Sequence, residues 1–363
     1  MILPWFVVTG TVILAFPTAI LIHRKVRQRS VARSLRLSGP RVIDQQLFLL
    51  IGGIEQWISI RGEDRTNPLL FILHGGPGSS CAMFAPQIRA WEKHFTIVHW
   101  DQRGSGKTLA RTGKKQTGSL TLDRLACDGI EIAEYLRQRF PASPLVLLGH
   151  SLGSTFALSM LKRRPDLFAA YIGTDQNTGM IRHRQSIHDD TVTRLRSLGL
   201  HKGVLALERI GPDPSTWSAD DFHTVTKWTM NSHPASARRM LSLLKNSIWY
   251  APDYRLADIK NFVTGMQFSL EQLLPDIVRF DAWTECTRFA MPFFIMQGKE
   301  DVLTPPNLAE AYLNDIEAPV KQLLPIHNAG HFAAFLEPTQ FLAHLLVHVR
   351  PLLQSQLAIP TAV

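Results

Sequence analysis

Leu145-Val146-Leu147-Leu148-Gly149-His150-Ser151-Leu152-Gly153-Ser154 is the stretch that decides how this chain folds. An apolar run with strand character meets a serine held between two glycines, and a stretch with helical character, Ser154 to Arg164, follows. Strand, sharp turn with a serine, then helix is the geometry that lifts a hydroxyl clear of a parallel sheet. Small residues two before and two after the serine let that turn close without clashes.

Working outward, Leu47–Ile51 and Ile54–Ile60 flank Gly52-Gly53 and read as a hairpin. Leu69–Leu73 reads as a short buried strand ending in His74-Gly75-Gly76-Pro77-Gly78. Met83–His94 is predicted as a helix, and Phe95–Trp100 as a strand running into Asp101-Gln102-Arg103-Gly104-Ser105-Gly106. Leu122–Phe140 has helical spacing, and Ala169–Gly173 suits the next strand. From Thr178 to Arg288 the alternation breaks at Pro212, Pro214, Pro234 and Pro252, which predicts a helical cap inserted into the sheet. It resumes with a strand at Phe293–Gln297, a helix near Asn307–Asp315, a strand at Lys321–Leu324 and a closing helix from Pro338 to Val349. Strands alternating with helices at this spacing predict the α/β class, with a mostly parallel sheet covered on both faces.

The 363 residues are 45% hydrophobic and 19% charged, enough to bury a large core. Of the net charge of +9, residues 1–41 carry +7 through Arg24, Lys25, Arg27, Arg29, Arg33, Arg36 and Arg41, with no acid, which leaves +2 for the rest. No basic cluster with interleaved aromatics occurs in the main body, so no nucleic-acid partner is expected. Cys81, Cys127 and Cys286 are too sparse for a disulfide framework and lack zinc-ligand spacing. Residues 2–22 contain no charge, long enough for a span of roughly 30 Å. Positive charge follows this run rather than preceding it, which favours an uncleaved anchor over a signal peptide. The expected organisation is a single-pass transmembrane anchor at 1–22, a basic juxtamembrane linker at 23–45, a core at 46–177 and 289–355, and a cap at 178–288. The positive-inside rule then puts the catalytic part on the cytoplasmic side of a membrane.

Ser151 is the candidate nucleophile, and a serine hydroxyl is weak until a base takes its proton. The best base is His331 in Ala329-Gly330-His331, and the best orienting acid is Asp301 in Gly298-Lys299-Glu300-Asp301, with Glu300 in reserve. The backbone N–H groups of Leu152 and Gly76 are placed to hold an oxyanion. His74, Gly75, Pro77, Gly78, Asp101 and Arg103 are expected to organise the surrounding loops. Gly104-Ser105-Gly106-Lys107-Thr108 lacks the upstream glycine of a phosphate loop, since Asp101 stands there, so nucleotide binding is excluded. This chemistry needs no cofactor and no metal. Trp217, Trp228, Trp249 and Trp283 can line a pocket under the cap or form its core.

These motifs, His74–Gly78, Asp101–Gly106 and Gly149–Ser154 with Gly298–Asp301 and Gly330-His331, together resemble the proline iminopeptidase branch of the α/β-hydrolases over roughly residues 45–350. The resemblance implies an α/β-hydrolase fold with a helical cap and a Ser151–Asp301–His331 triad. It also implies a serine hydrolase that releases N-terminal residues from small peptides or amides, while the expected anchor and apolar cap make an ester, lactone or lipid-like acyl substrate the alternative. His150 and Leu152 depart from the Gly and Trp usual in that branch. Acidic cap residues that grip the free amino group have no matching motif here, Glu208 and Glu271 being the weak candidates for substrate binding.

Overall fold

The structure, a computed structural model, describes residues 3–182 and 184–357, with side chains over 18–182 and 185–353. Strands β1 (Ile43–Ile51), β2 (Ile54–Gly62), β3 (Leu69–Leu73), β4 (Thr96–Asp101), β5 (Leu145–His150), β6 (Ala170–Thr174), β7 (Phe293–Gly298) and β8 (Lys321–Ile326) form one sheet. Their order is β1-β2-β4-β3-β5-β6-β7-β8. β1 and β2 pair antiparallel through Gly52 and Gly53, both left-handed at φ 54° and 79°, the backbone a two-residue hairpin turn requires. From β4 through β8 every pairing is parallel. β3, β4, β5, β6 and β7 are buried along their whole length, because helices cover both faces.

The helices are α1 (Leu3–Ser34), α2 (Gly106–Gln116), α3 (Leu122–Arg139), α4 (Gly153–Arg163), α5 (Arg184–Ser197), α6 (His201–Ile210), α7 (Ala219–Asn231), α8 (Pro234–Tyr250), α9 (Leu256–Arg279), α10 (Ala282–Glu285), α11 (Pro306–Asp315), α12 (Ala333–Leu336), α13 (Pro338–His344) and α14 (Arg350–Leu357). One face of the sheet packs Leu125, Ile132, Leu136, Phe156 and Tyr312. The other packs Phe84, Trp91, Phe335, Phe341 and Leu345. Each such buried side chain contributes about 1.5–3 kcal/mol. Between β6 and β7 the chain leaves the sheet for α5 to α10, and Val192, Leu195, Val204 and Leu207 form a small core of their own there.

One expectation fails locally. Met83–His94 is not one helix but two 3-10 turns, Ala82–Phe84 and Arg89–Lys93. Pro86 lies between them and cannot donate the hydrogen bond a continuous helix needs.

The membrane anchor over 1–22, and with it the membrane localisation and the juxtamembrane linker over 23–45, is corrected. Among the described residues no helix is long and apolar enough to cross a membrane. Residues 1–2 and the side chains of 3–17 lie outside the described residues. The helix α1 does not stop at the basic residues, and its second half is fastened to the body of the protein. Arg24 donates from Nε to the Trp249 carbonyl (3.0 Å) and from Nη2 to the Tyr254 carbonyl (2.6 Å). Gln28 Nε2 donates to the carbonyls of Ala251 (2.7 Å) and Tyr254 (2.9 Å). Arg24 is only 7% exposed and satisfies one carbonyl in the last turn of α8 and one in the loop just beyond it.

Candidate active site

Parallel strands deliver their C-terminal ends to one edge of the sheet, and the candidate residues collect there. Ser151 follows β5 at φ 53°, a strained left-handed turn before α4. Gly153 is required by contact: a Cβ on it would meet the Leu73 carbonyl oxygen at 2.3 Å. Gly75 packs against the nucleophile itself, where a Cβ would lie 2.7 Å from Ser151 Cβ.

Ser151 Oγ lies 3.0 Å from His331 Nε2. His331 Nδ1 lies 2.9 Å from Asp301 Oδ2 and 3.2 Å from Oδ1. Asp301 is fixed in turn, Oδ1 accepting from the N–H groups of Leu303 (2.9 Å) and Thr304 (3.0 Å) and Oδ2 from the Thr304 hydroxyl (2.6 Å). Glu300 is exposed and outside this chain of contacts. Gly76 and Leu152 line the cavity beside Ser151 and His331.

The loops behind the site are held by buried polar contacts. His74 Nδ1 donates to the Gly75 carbonyl (2.9 Å), and its Nε2 accepts from Gln102 N–H (3.2 Å), an assignment that follows from the hydrogen-bond network. Burial pushes His74 down to about 4 and keeps it neutral. Asp101 Oδ2 accepts from Lys107 N–H (2.7 Å). Arg103 donates from Nε to Asp128 (2.9 Å) and from Nη2 to the Gly52 carbonyl (2.8 Å), tying the hairpin to this edge. Pro77 lines the cavity, and Gly78 abuts α9, where a Cβ would lie 2.3 Å from the Gly265 carbonyl oxygen.

Sequence reasoning missed Asp175. It follows β6 with φ 50°, fully buried. Its Oδ2 accepts from Phe332 N–H (2.8 Å) and its Oδ1 from Ala333 N–H (3.3 Å), clamping the backbone after His331. His150 Nε2 approaches Asp175 Oδ2 to 3.0 Å, without the alignment of a hydrogen bond. Burial opposes the charged carboxylate, but His331, His150 and Phe332 N–H outweigh it and hold Asp175 below the usual carboxylate range. Burial likewise opposes a charged His331, yet Asp301 and Asp175 outweigh it and raise the ring to about 9. The only signal in the sequence was an acid directly after a strand neighbouring that of the serine. Donor atoms of His150, Asp175 and His331 lie within 4.8 Å of one another, a spacing a metal could use, but Asp301 already engages His331.

Above Ser151 the cap encloses a cavity of about 190 Å³. Trp217, Phe222, Val225 and Ile277 line it with Leu303 and Leu308. Of the four tryptophans only Trp217 does so: Trp228 packs in the cap core, Trp249 lies against Arg24, and Trp283 stacks edge-on to Tyr312. Glu208 and Glu271 are not brought to the cavity. Glu208 pairs with Arg196, and Glu271 accepts from Gln267 Nε2 (2.8 Å), both exposed.

Residues 68–338 match the family model described as alpha/beta hydrolase fold. The chain is 32% identical over 317 residues to a "Probable aminopeptidase YbaC" of Bacillus subtilis, covering 83% of this chain and 95% of that one. It is 21% identical over 312 residues to a proline iminopeptidase of Saccharolobus solfataricus, covering 85% and 93%. Among solved structures, a thermophilic esterase from Thermogutta terrifontis is similar with a TM-score of 0.53 at 18% identity, covering 85% and 99%.

Proposed function

This chain belongs to the alpha/beta hydrolase fold family, and we propose that within it the protein is a serine hydrolase working through an acyl-enzyme. The observation that carries this reading is the unbroken line from Ser151 Oγ to His331 Nε2 (3.0 Å) and from His331 Nδ1 to Asp301 (2.9 Å). Neutral His331 takes the hydroxyl proton as Ser151 attacks a carbonyl carbon. Asp301 fixes the tautomer and steadies the imidazolium that forms. The N–H groups of Gly76 and Leu152 hold the oxyanion, a contribution of about 3–4 kcal/mol per donor. Collapse expels the leaving group with the proton from His331, and a water activated by the same ring then releases the acid. A fluorophosphonate probe should label the full-length protein at Ser151 and leave the Ser151→Ala variant unlabelled. Equal labelling of both, or none of a folded wild type, refutes the proposal.

The names of the relatives favour an aminopeptidase or amidase. The apolar lining of the cavity favours a second reading, an ester, lactone or lipid-like acyl bond cleaved by the same residues.

A further inference from the structure

The cavity touches Ser151, Gly76, Leu152 and His331, so it takes in the carbonyl under attack and the ground on both sides of the scissile bond. The leaving group departs with the proton of His331. A separate, much smaller cavity of about 10 Å³ touches His331 but neither Ser151 nor the oxyanion residues. That smaller space holds about one water at most, so the acyl group enters the larger one.

That space holds no counter-charge. Among the described residues, no Asp, Glu, Lys or Arg lines it. Its polar atoms belong to hydroxyls and amides such as Thr191, Thr226, Thr229 and Asn177, and to the triad and His188 rings. The His188 ring is engaged, Nε2 donating to the Leu207 carbonyl (3.1 Å). None of the described acids of the cap lines this space. Asp189 accepts from Gln185 and lies 3.2 Å from His188 Nδ1, Asp221 accepts from the N–H of the N-cap Ser218, and Asp281 pairs with Arg182. An ammonium moved into such a space loses its hydration and finds no carboxylate in return.

We infer that this cavity receives an uncharged, apolar acyl group, and that a substrate with an ammonium beside the scissile carbonyl is rejected. The inference rests on the serine-hydrolase reading and narrows its substrate class. Amide and ester remain alike in this respect, since they differ in the leaving group alone.

The test uses the full-length protein and two diphenyl phosphonates of one shape, the 3-methylbutyl compound and its 1-amino-3-methylbutyl counterpart. In each, Ser151 Oγ bonds to phosphorus as one phosphorus–oxygen bond breaks, and phenol leaves with the proton. Labelling at Ser151 is followed by mass spectrometry. The neutral probe is expected to react at least about tenfold faster, a difference of about 1.4 kcal/mol. A smaller ratio, or a faster amino probe, overturns the inference and leaves the nucleophile intact. No labelling by either probe overturns the serine-hydrolase reading, and the inference falls with it. In the Thr226→Asp variant, which puts a carboxylate at a half-buried position of the lining, the ratio is expected to move toward the amino probe by about tenfold or more. An unmoved ratio in folded variant protein overturns the claim that the missing carboxylate is the cause.

Discussion

Replacing Asp175 by asparagine should change the pH at which this enzyme works. His331 is held up to about 9, with burial opposed by Asp301 and Asp175. A general base must be neutral, so kcat/KM climbs with pH and levels off above about 9. The asparagine has nearly the shape of the aspartate and keeps an acceptor for Phe332 N–H, but it removes one negative charge facing the ring. Donor atoms of the two native groups lie within 4.8 Å. Unit charges at that distance interact by about 3.5 kcal/mol at an effective dielectric of about 20, or roughly 2.5 pH units. Phe332 and Ala333 N–H groups already draw on the carboxylate, so the expected fall in the midpoint is about one to two units. Below the wild-type midpoint the variant then gains up to about tenfold per unit, while its plateau falls because the base is weaker. The assay is the pH profile of kcat/KM for a neutral p-nitrophenyl ester from about pH 5 to about 10. Glu300→Gln, at an exposed site, is the control and should leave the midpoint in place. Asp175→Asn activity reduced by one factor at every pH, with the midpoint unmoved, would show that the carboxylate only braces the loop.

Four further outcomes are expected. Asp301→Asn should lower kcat by about 10⁴-fold by releasing the His331 tautomer, and a loss below tenfold in steady-state kinetics would remove Asp301 from the triad. Gly153→Ala forces a Cβ onto the Leu73 carbonyl and should destabilise the fold by about 3 kcal/mol in urea titrations, whereas an unchanged midpoint denies the close packing of α4 on β3. His74 and His99 are held by burial near about 4 and about 3, below the 6.5 of the unfolded chain. The unfolded state therefore takes up protons first, and stability complete above pH 6.5 should fall as pH drops toward 4, by about 3 kcal/mol for each ring; His99→Gln should flatten that slope, and an unaltered slope excludes His99. Arg24→Ala takes the side-chain donor from the Trp249 carbonyl at about 1–3 kcal/mol and leaves the Tyr254 carbonyl to Gln28 alone, so hydrogen exchange should quicken at the end of α8 while probe labelling of Ser151 stays as it was.

The meeting of Ser151, Asp301 and His331 was legible because each sits in a loop after a strand, and the ends of parallel strands converge. The resemblance to the proline iminopeptidase branch holds for the same reason, since its motifs are those strand ends. Asp175 carries no motif, and its partners are backbone groups whose position the sequence does not spell. The N-terminal stretch misled in a different way. Apolar residues followed by arginines look alike whether the arginines meet headgroups or carbonyls, and the carbonyls of Trp249, Ala251 and Tyr254 lie more than 220 residues along the chain. Glu208 and Glu271 were only weak candidates without a motif, and both turn to exposed partners, Arg196 and Gln267. Pro86 was visible in the sequence, and reading through it produced a helix that does not form.

The bond from Arg24 to the Tyr254 carbonyl spans 230 positions of the chain. A ribosome adding roughly 5–20 residues per second needs about 12–46 s to cover that distance. Throughout that interval α1 exists without the surface it will dock on, its arginine and glutamine lacking the carbonyls they will bind. Ile20, Leu21, Ile22 and Val26 remain open to solvent even in the finished molecule. A segment synthesised before the cap is thus secured only after the cap has been made, so its apolar face waits longest for a partner.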